Sequence, residues 1–177
     1  MWYNYTMEDL VQRALDFATE AHKGQVRKYT GEPYIVHPVE VMEIVRTVTS
    51  DPEILSAALL HDVVEDTSFS IDDIWREFGE RVARLVSELT DVSGPEDGNR
   101  RTRKEIDRKR LARASSDAQT VKLADLINNS DSIIQYDQGF AKIYMQEKLR
   151  LMVVLTRGDS TLFNRALKII EDYHGSR

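Results

Sequence analysis

Apolar residues recur three and four positions apart along nearly the whole chain, the spacing of one helical face rather than of a strand. The first such series is Leu10, Ala14, Phe17, Ala18 and Ala21. Thr6 with Asp9 three residues on resembles a capping box at its start, and Gly24 ends it. Residues 23–36, which include Gly31 and Pro33, read as a loop delivering the chain to His37-Pro38. A second helix is predicted over 38–49 from Val41, Ile44, Val45 and Val48. Asp51-Pro52 reads as a cap followed by proline at the first helical position, and the run Leu55 to Leu60 carries a third helix inward. Ser70 caps a short helix with Ile71, Ile74, Trp75 and Phe78 facing inward and Gly79 at its end, which assigns Trp75 to the core. Val82, Leu85, Val86 and Leu89 form the next stripe. The clearest loop is Ser93-Gly94-Pro95-Glu96-Asp97-Gly98-Asn99. Helices are predicted beyond it over 100–113, 117–132, 140–156 and 160–173, the last with Leu162, Ala166, Ile169, Ile170 and Tyr173 on one side. No stretch alternates as a strand, and no repeat or low-complexity tract is present. The predicted fold class is all-α, a single compact multi-helix domain.

Composition agrees with that picture. The chain has 177 residues, 41% of them hydrophobic and 31% charged, the profile of one globular domain able to bury a core without disulfides. It has no cysteine, so disulfide frameworks, thiolate zinc sites, iron–sulfur clusters and cysteine nucleophiles are excluded. No apolar run approaches the roughly 20 residues of a membrane span, and the start Met1-Trp2-Tyr3-Asn4-Tyr5 lacks the features of a signal peptide. A cytoplasmic, unanchored protein with no membrane partner is expected.

Charge is distributed unevenly. Residues 100–113 carry eight basic side chains against Glu105 and Asp107, so this segment is +6 in a chain of net charge −6. A chain acidic overall is a poor nucleic-acid binder, and none is expected as a partner. The basic strip suits a compact polyanion or, equally, a solvated helix face.

The chemistry centres on His61-Asp62-Val63-Val64-Glu65-Asp66, which follows Ala57-Ala58-Leu59-Leu60 and so places ionisable side chains where an apolar helix enters the core. Burying them unpaired would cost several kcal/mol or more, and a metal ion is one way to offset that. On a continuous helix Glu65 would lie behind His61 and Asp66 behind Asp62, so that two ligands and two further carboxylates face one cavity. Asp125 in Lys122-Leu123-Ala124-Asp125, with Asn129 one turn on, and His37 in Tyr34-Ile35-Val36-His37-Pro38 offer further ligands. Two imidazoles and two carboxylates suit manganese, iron, zinc or another divalent ion, and residue types alone do not choose among them.

His37, His61-Asp62 and Asp125 match the H…HD…D signature of the HD superfamily of metal-dependent phosphohydrolases. Four segments extend the match: 21–28 (Ala-His-Lys-Gly-Gln-Val-Arg-Lys), 31–38 (Gly-Glu-Pro-Tyr-Ile-Val-His-Pro), 61–67 and 122–125. Together they resemble the hydrolase domain of the RelA/SpoT alarmone enzymes, and the length resembles the small alarmone hydrolases that consist of that domain alone. The resemblance spans about 8–172, within a single domain over 1–177, and leaves no residues for a synthetase or regulatory domain. It implies that His37, His61, Asp62 and Asp125 hold one divalent ion, usually manganese in this family. It implies that Glu65 and Asp66 activate or orient the attacking water, that Arg27 and Lys28 pack around a guanine base, and that Asn129 contacts the ribose. The implied reaction removes pyrophosphate from the 3′ position of ppGpp or pppGpp, giving GDP or GTP.

The sequence departs from the family in three places. The stretch Arg27-Lys28-Tyr29-Thr30-Gly31 looks one residue longer than in many of its members, 93–116 matches poorly, and Leu126-Ile127-Asn128 replaces the usual residues after Asp125. Other substrates therefore stay open: an adenosine alarmone, the 2′-phosphate of NADPH or a deoxynucleotide. So does a nucleotide sensor without turnover. His22 is expected to pack or to support the ligands, His174 to be inert, and Tyr144 and Lys148 to be core or surface residues more than pocket residues. The oligomeric state is not legible.

Overall fold

The computed structural model describes residues 7–175, so the expected Thr6 cap lies outside the described residues. The chain divides after Thr90 into two compact units. The first contains α1 (Met7–Ala21), α2 (Val36–Arg46), α3 (Pro52–Leu60), α4 (Val63–Asp66), α5 (Ile71–Phe78) and α6 (Glu80–Leu89). Its hub is α3, which meets α1, α2 and α6. Every residue from Ile54 to Leu60 is buried there. A helix with no polar face suits only a central position. Its start is as predicted, with Pro52 at the first helical position and the Asp51 carboxylate accepting from the Glu53 N–H at 2.9 Å.

Two expectations about this unit are corrected. First, α2 ends at Arg46 rather than 49, because the Thr47 hydroxyl donates to the Ile44 carbonyl at 2.6 Å and the following residues turn. Second, Trp75 is 57% exposed and not in the core. The Ser70–Asp73 capping box forms as predicted, and Ile74 and Phe78, four apart, turn inward. Trp75 follows Ile74 by about 100° of helical rotation and so points outward. Phe17 on α1 closes this corner, its ring 4.7 Å from Phe69 and 5.4 Å from Phe78.

The second unit contains a 3₁₀ turn (Pro95–Asp97), α7 (Arg100–Leu111), α8 (Ser116–Tyr136), α9 (Gln138–Met152) and α10 (Ser160–Gly175). Here α8 meets both α9 and α10, which also meet each other. Side chains of Asn99, Ser115 and Asp137 cap α7, α8 and α9. Helix α8 runs four residues past its predicted end, and the Asp137 cap starts α9 two residues before its predicted start. On α10, Leu162, Ala166, Ile170 and Tyr173 are buried as expected, with Ile169 at the margin. Asp107 does not share the exposed face of its basic helix. It is buried and accepts from the N–H groups of Val92 and Ser93, each at 3.1 Å, and from the Ser93 hydroxyl at 2.7 Å, tying the preceding loop to α7. Among the described residues the one β pairing is an isolated bridge, Val26 with Pro33, so the all-α class holds.

Gly158 shows how closely the α9–α10 loop lies on α8. A Cβ there would fall 2.7 Å from Leu123 Cδ1 and 3.1 Å from backbone atoms of Gln119 and Thr120. Both neighbouring side chains fasten the loop, Gln119 Oε1 accepting from Arg157 N–H and Thr120 Oγ1 from Asp159 N–H, each at 2.9 Å. Gly158→Ala should therefore destabilise the protein by about 1–3 kcal/mol, because backbone cannot yield as a side chain does. Thermal unfolding followed by circular dichroism checks this at roughly 2–4 °C per kcal/mol. Gly139→Ala, where a Cβ would meet only Asp137 Oδ1 at 3.8 Å, is the control expected to show no loss.

Candidate active site

The continuous helix expected through His61 and Asp66 is not formed. Helix α3 stops at Leu60 and α4 begins at Val63, with Asp62 between them at φ −98°, ψ −7°. That sparsely populated region often holds active-site residues. The break lets His61 and Asp62 turn toward His37, near the start of α2. Asp62 Oδ2 lies 3.2 Å from His61 Nε2 and 3.4 Å from His37 Nε2. One ligand atom from each of these three residues lies within 4.8 Å of the others, so the three are brought together within the first unit.

Both imidazoles are buried, each 2% exposed. His61 Nδ1 is 2.7 Å from the Ala58 carbonyl oxygen, which only accepts, so Nδ1 carries a proton and the ring is fixed with Nε2 toward Asp62. Orientation of a ligand histidine through its other nitrogen is the usual support of a metal site. Burial opposes the Asp62 charge, but His61 and His37 outweigh it and hold this carboxyl well below the usual range. Two imidazole nitrogens and one ionised carboxylate, mutually close and oriented, fit a divalent ion of intermediate hardness.

Tyr34 is the residue sequence reasoning missed. Its hydroxyl lies 2.7 Å from Asp62 Oδ2 and 3.1 Å from Asp66 Oδ2, so a single phenolic proton serves both carboxylates. Burial, then the Asp62 charge, push the Tyr34 phenol far above its ordinary range, so it stays a donor. The available signal was its place three residues before His37, in the turn where His37 N–H donates to the Tyr34 carbonyl. Partial burial of its carboxyl, then the neighbouring Asp62 charge, raise the Asp66 carboxyl, and the Tyr34 hydroxyl only partly opposes them. Behind Tyr34, the His22 ring stacks at 4.7 Å. His22 is buried with Nδ1 2.8 Å from Gln25 Oε1, and Gln25 Nε2 donates to the Asp66 carbonyl at 2.9 Å.

The other expected site residues are placed as follows. Glu65 and Asp66 are exposed on α4, one turn after His61 and Asp62. Arg27 and Lys28 occupy the loop before α2, which the Val26–Pro33 bridge and the Arg27 N–H to Glu32 carbonyl bond of 2.8 Å shape as a narrow hairpin. Arg27 is half-buried and Lys28 exposed, with the Lys28 ammonium 4.7 Å above the Tyr29 ring. Asp125 belongs to the second unit, on α8. It is buried, 2.9 Å from Lys122 Nζ, and accepts from the Asn129 amide. Asn129 thus positions Asp125 through the one-turn spacing noted in the sequence. In the basic strip, Arg100 pairs with Glu147, Lys104 with Asp91 and Arg108 with Glu105, each at 2.7–2.8 Å. Much of its charge is therefore matched internally.

Among the described residues no helix is long and apolar enough to cross a membrane. Comparison with known proteins gives one consistent result. A guanosine-3′,5′-bis(diphosphate) 3′-pyrophosphohydrolase of Aquifex aeolicus is 49% identical over 82 residues, covering 46% of this chain but 12% of that protein. The chain thus spans a small part of the length of its bacterial relatives. Human guanosine-3′,5′-bis(diphosphate) 3′-pyrophosphohydrolase MESH1 is 41% identical over 154 residues, covering 82% of each chain. A solved structure described as a metazoan ortholog of SpoT that hydrolyses ppGpp superposes with a TM-score of 0.84 at 28% identity, over 98% of each chain. The family model for the HD domain matches residues 14–149, through α1 to α9 and all four residues of the H…HD…D signature, and the chain belongs to the HD domain family.

Proposed function

We propose that the chain is a metal-dependent phosphohydrolase that removes the 3′-pyrophosphate of guanosine alarmones, releasing GDP or GTP and pyrophosphate. The observation that carries this reading is the convergence of His37 Nε2, His61 Nε2 and Asp62 Oδ2, with Glu65 and Asp66 directly following. The names of its relatives supply the substrate class. The family match runs through both compact units, which supports reading 1–177 as one hydrolase domain.

In this reading His37, His61, Asp62 and Asp125 hold one divalent ion, most simply Mn²⁺. When bound, such an ion lowers the pKa of water and neutralises phosphoryl charge. Glu65 and Asp66 orient the attacking water and accept its proton, a task suited to the raised proton affinity of Asp66. Tyr34 holds the Asp62 and Asp66 carboxylates in register. The water oxygen bonds to the phosphorus attached at O3′, and O3′ leaves with the electron pair and takes a proton. Arg27 and Lys28 pack on the guanine base, and Asn129, which also donates to Asp125, contacts the ribose.

Turnover of ppGpp, ppApp, NADPH and dAMP under identical conditions with Mn²⁺ tests the assignment. The expected products from ppGpp are GDP and pyrophosphate at the highest kcat/KM of the four. A rate on another member orders of magnitude higher would replace the guanosine assignment, and tight ppGpp binding without pyrophosphate release would make the chain a sensor.

A further inference from the structure

The second unit contains a cavity of about 510 Å³, the size of a small-molecule site. Seven cationic and four acidic side chains line it. Three of the acids pair with Arg100, Lys104 and Arg108, and the fourth, Asp107, is taken up by the backbone of Val92 and Ser93. Lys122 faces Asp125. Arg101, Lys148 and Arg150 line the same cavity, and among the described residues none of them forms a salt bridge.

Lys148 is the telling member. It is half-buried on α9, with its ammonium 4.7 Å above the Tyr144 ring. Burial first, then the neighbouring Lys122, bring its pKa down to about 8, and Asp125 and Asp91 oppose that shift only in part. A surplus of positive charge in a partly enclosed site is the electrostatic signature of an anion site. Leu111 and Leu151 supply an apolar wall beside it.

We propose that this cavity binds the diphosphate group of a polyphosphate anion, held by Arg101, Lys148 and Arg150. A diphosphate spans several cations and carries more charge than orthophosphate. It reaches the cavity either as the phosphate tail of the nucleotide substrate or as a separate polyphosphate effector. The first source rests on the function proposed above, whereas the second does not.

Isothermal titration of inorganic pyrophosphate into metal-free protein tests the site without turnover. Saturable binding is expected, weaker for orthophosphate, and at least tenfold weaker in an Arg101→Gln, Lys148→Met double variant. If that variant does not fold by circular dichroism, Arg150→Gln at its exposed position takes its place, with a severalfold loss expected. Absent pyrophosphate binding, or binding unchanged in the variants, overturns the proposal. Inhibition kinetics then identify the source: competition with ppGpp and a raised KM in the variant mark the substrate's own tail, and an altered kcat at unchanged KM marks an effector. Pyrophosphate binding in a chain that fails to hydrolyse ppGpp upholds the cavity alone. Hydrolysis with no pyrophosphate binding upholds the function alone.

Discussion

Asp62→Ala is expected to abolish metal binding and hydrolysis together while leaving the helical content unchanged. Asp62 Oδ2 is the point on which both imidazoles converge, at 3.2 and 3.4 Å, and it is the ionised member of the cluster. Without it the two buried imidazoles keep only Asp125 as an anionic ligand in this reading, a weaker site for a divalent ion. A bound ion contributes several kcal/mol of transition-state stabilisation, so the rate should fall by about 10³-fold or more. His61→Ala should behave alike, because its Nε2 is aimed by the Ala58 carbonyl. The site lies in the break after α3 rather than inside the helix, so far-UV circular dichroism should not change. Metal content after dialysis and steady-state hydrolysis are the measurements, with the exposed Asp72→Ala as control. Full hydrolysis by chelator-treated wild-type protein would falsify the metal-dependent reading.

Changing the two carboxylates that follow should separate chemistry from metal binding. Glu65→Gln and Asp66→Asn are each expected to retain the ion, and the variant lacking the proton acceptor should lose about 10²–10⁴-fold in kcat. The pH profile distinguishes the two. Asp66 accepts a proton only when ionised, and burial and Asp62 already raise its pKa. Tyr34→Phe removes the donor that steadies the ionised form, so the Asp66 pKa rises further. Activity that depends on ionised Asp66 is present above its pKa and lost as pH falls through it. The acid limb of kcat/KM should therefore move to higher pH in Tyr34→Phe. An unmoved limb, together with the larger loss in Glu65→Gln, would assign proton transfer to Glu65.

Local residue patterns determined much of this protein. The spacing of Leu10, Ala14 and Ala18, or of Leu162, Ala166 and Ile170, specifies a helical face because a 3.6-residue period places those side chains on one side wherever the helix docks. Asp51-Pro52 and Ser70 mark helix starts because a cap satisfies N–H groups only two or three residues away. The candidate ligands were legible for a related reason. His61-Asp62 after an apolar run is a conflict within the sequence itself, and such conflicts gather at functional sites.

Tertiary structure decided what depends on partners distant in the chain. The sequence pattern placed Trp75 inward with Ile74, but only the docking of α5 selects which of two adjacent sides is covered. Nothing local ends α3 at Leu60, yet that break turns His61 and Asp62 toward His37, 24 residues upstream of His61. Beyond its place three residues before His37, Tyr34 carried no sequence signal of its role, because the two carboxylates it bridges lie 28 and 32 residues away. Within α7, only the fold distinguishes the buried anchor Asp107 from Glu105, and the internally paired Arg100 from Arg101. Charge along the sequence locates a basic strip, and a side chain's partners in space determine which of its cations have charge to spare.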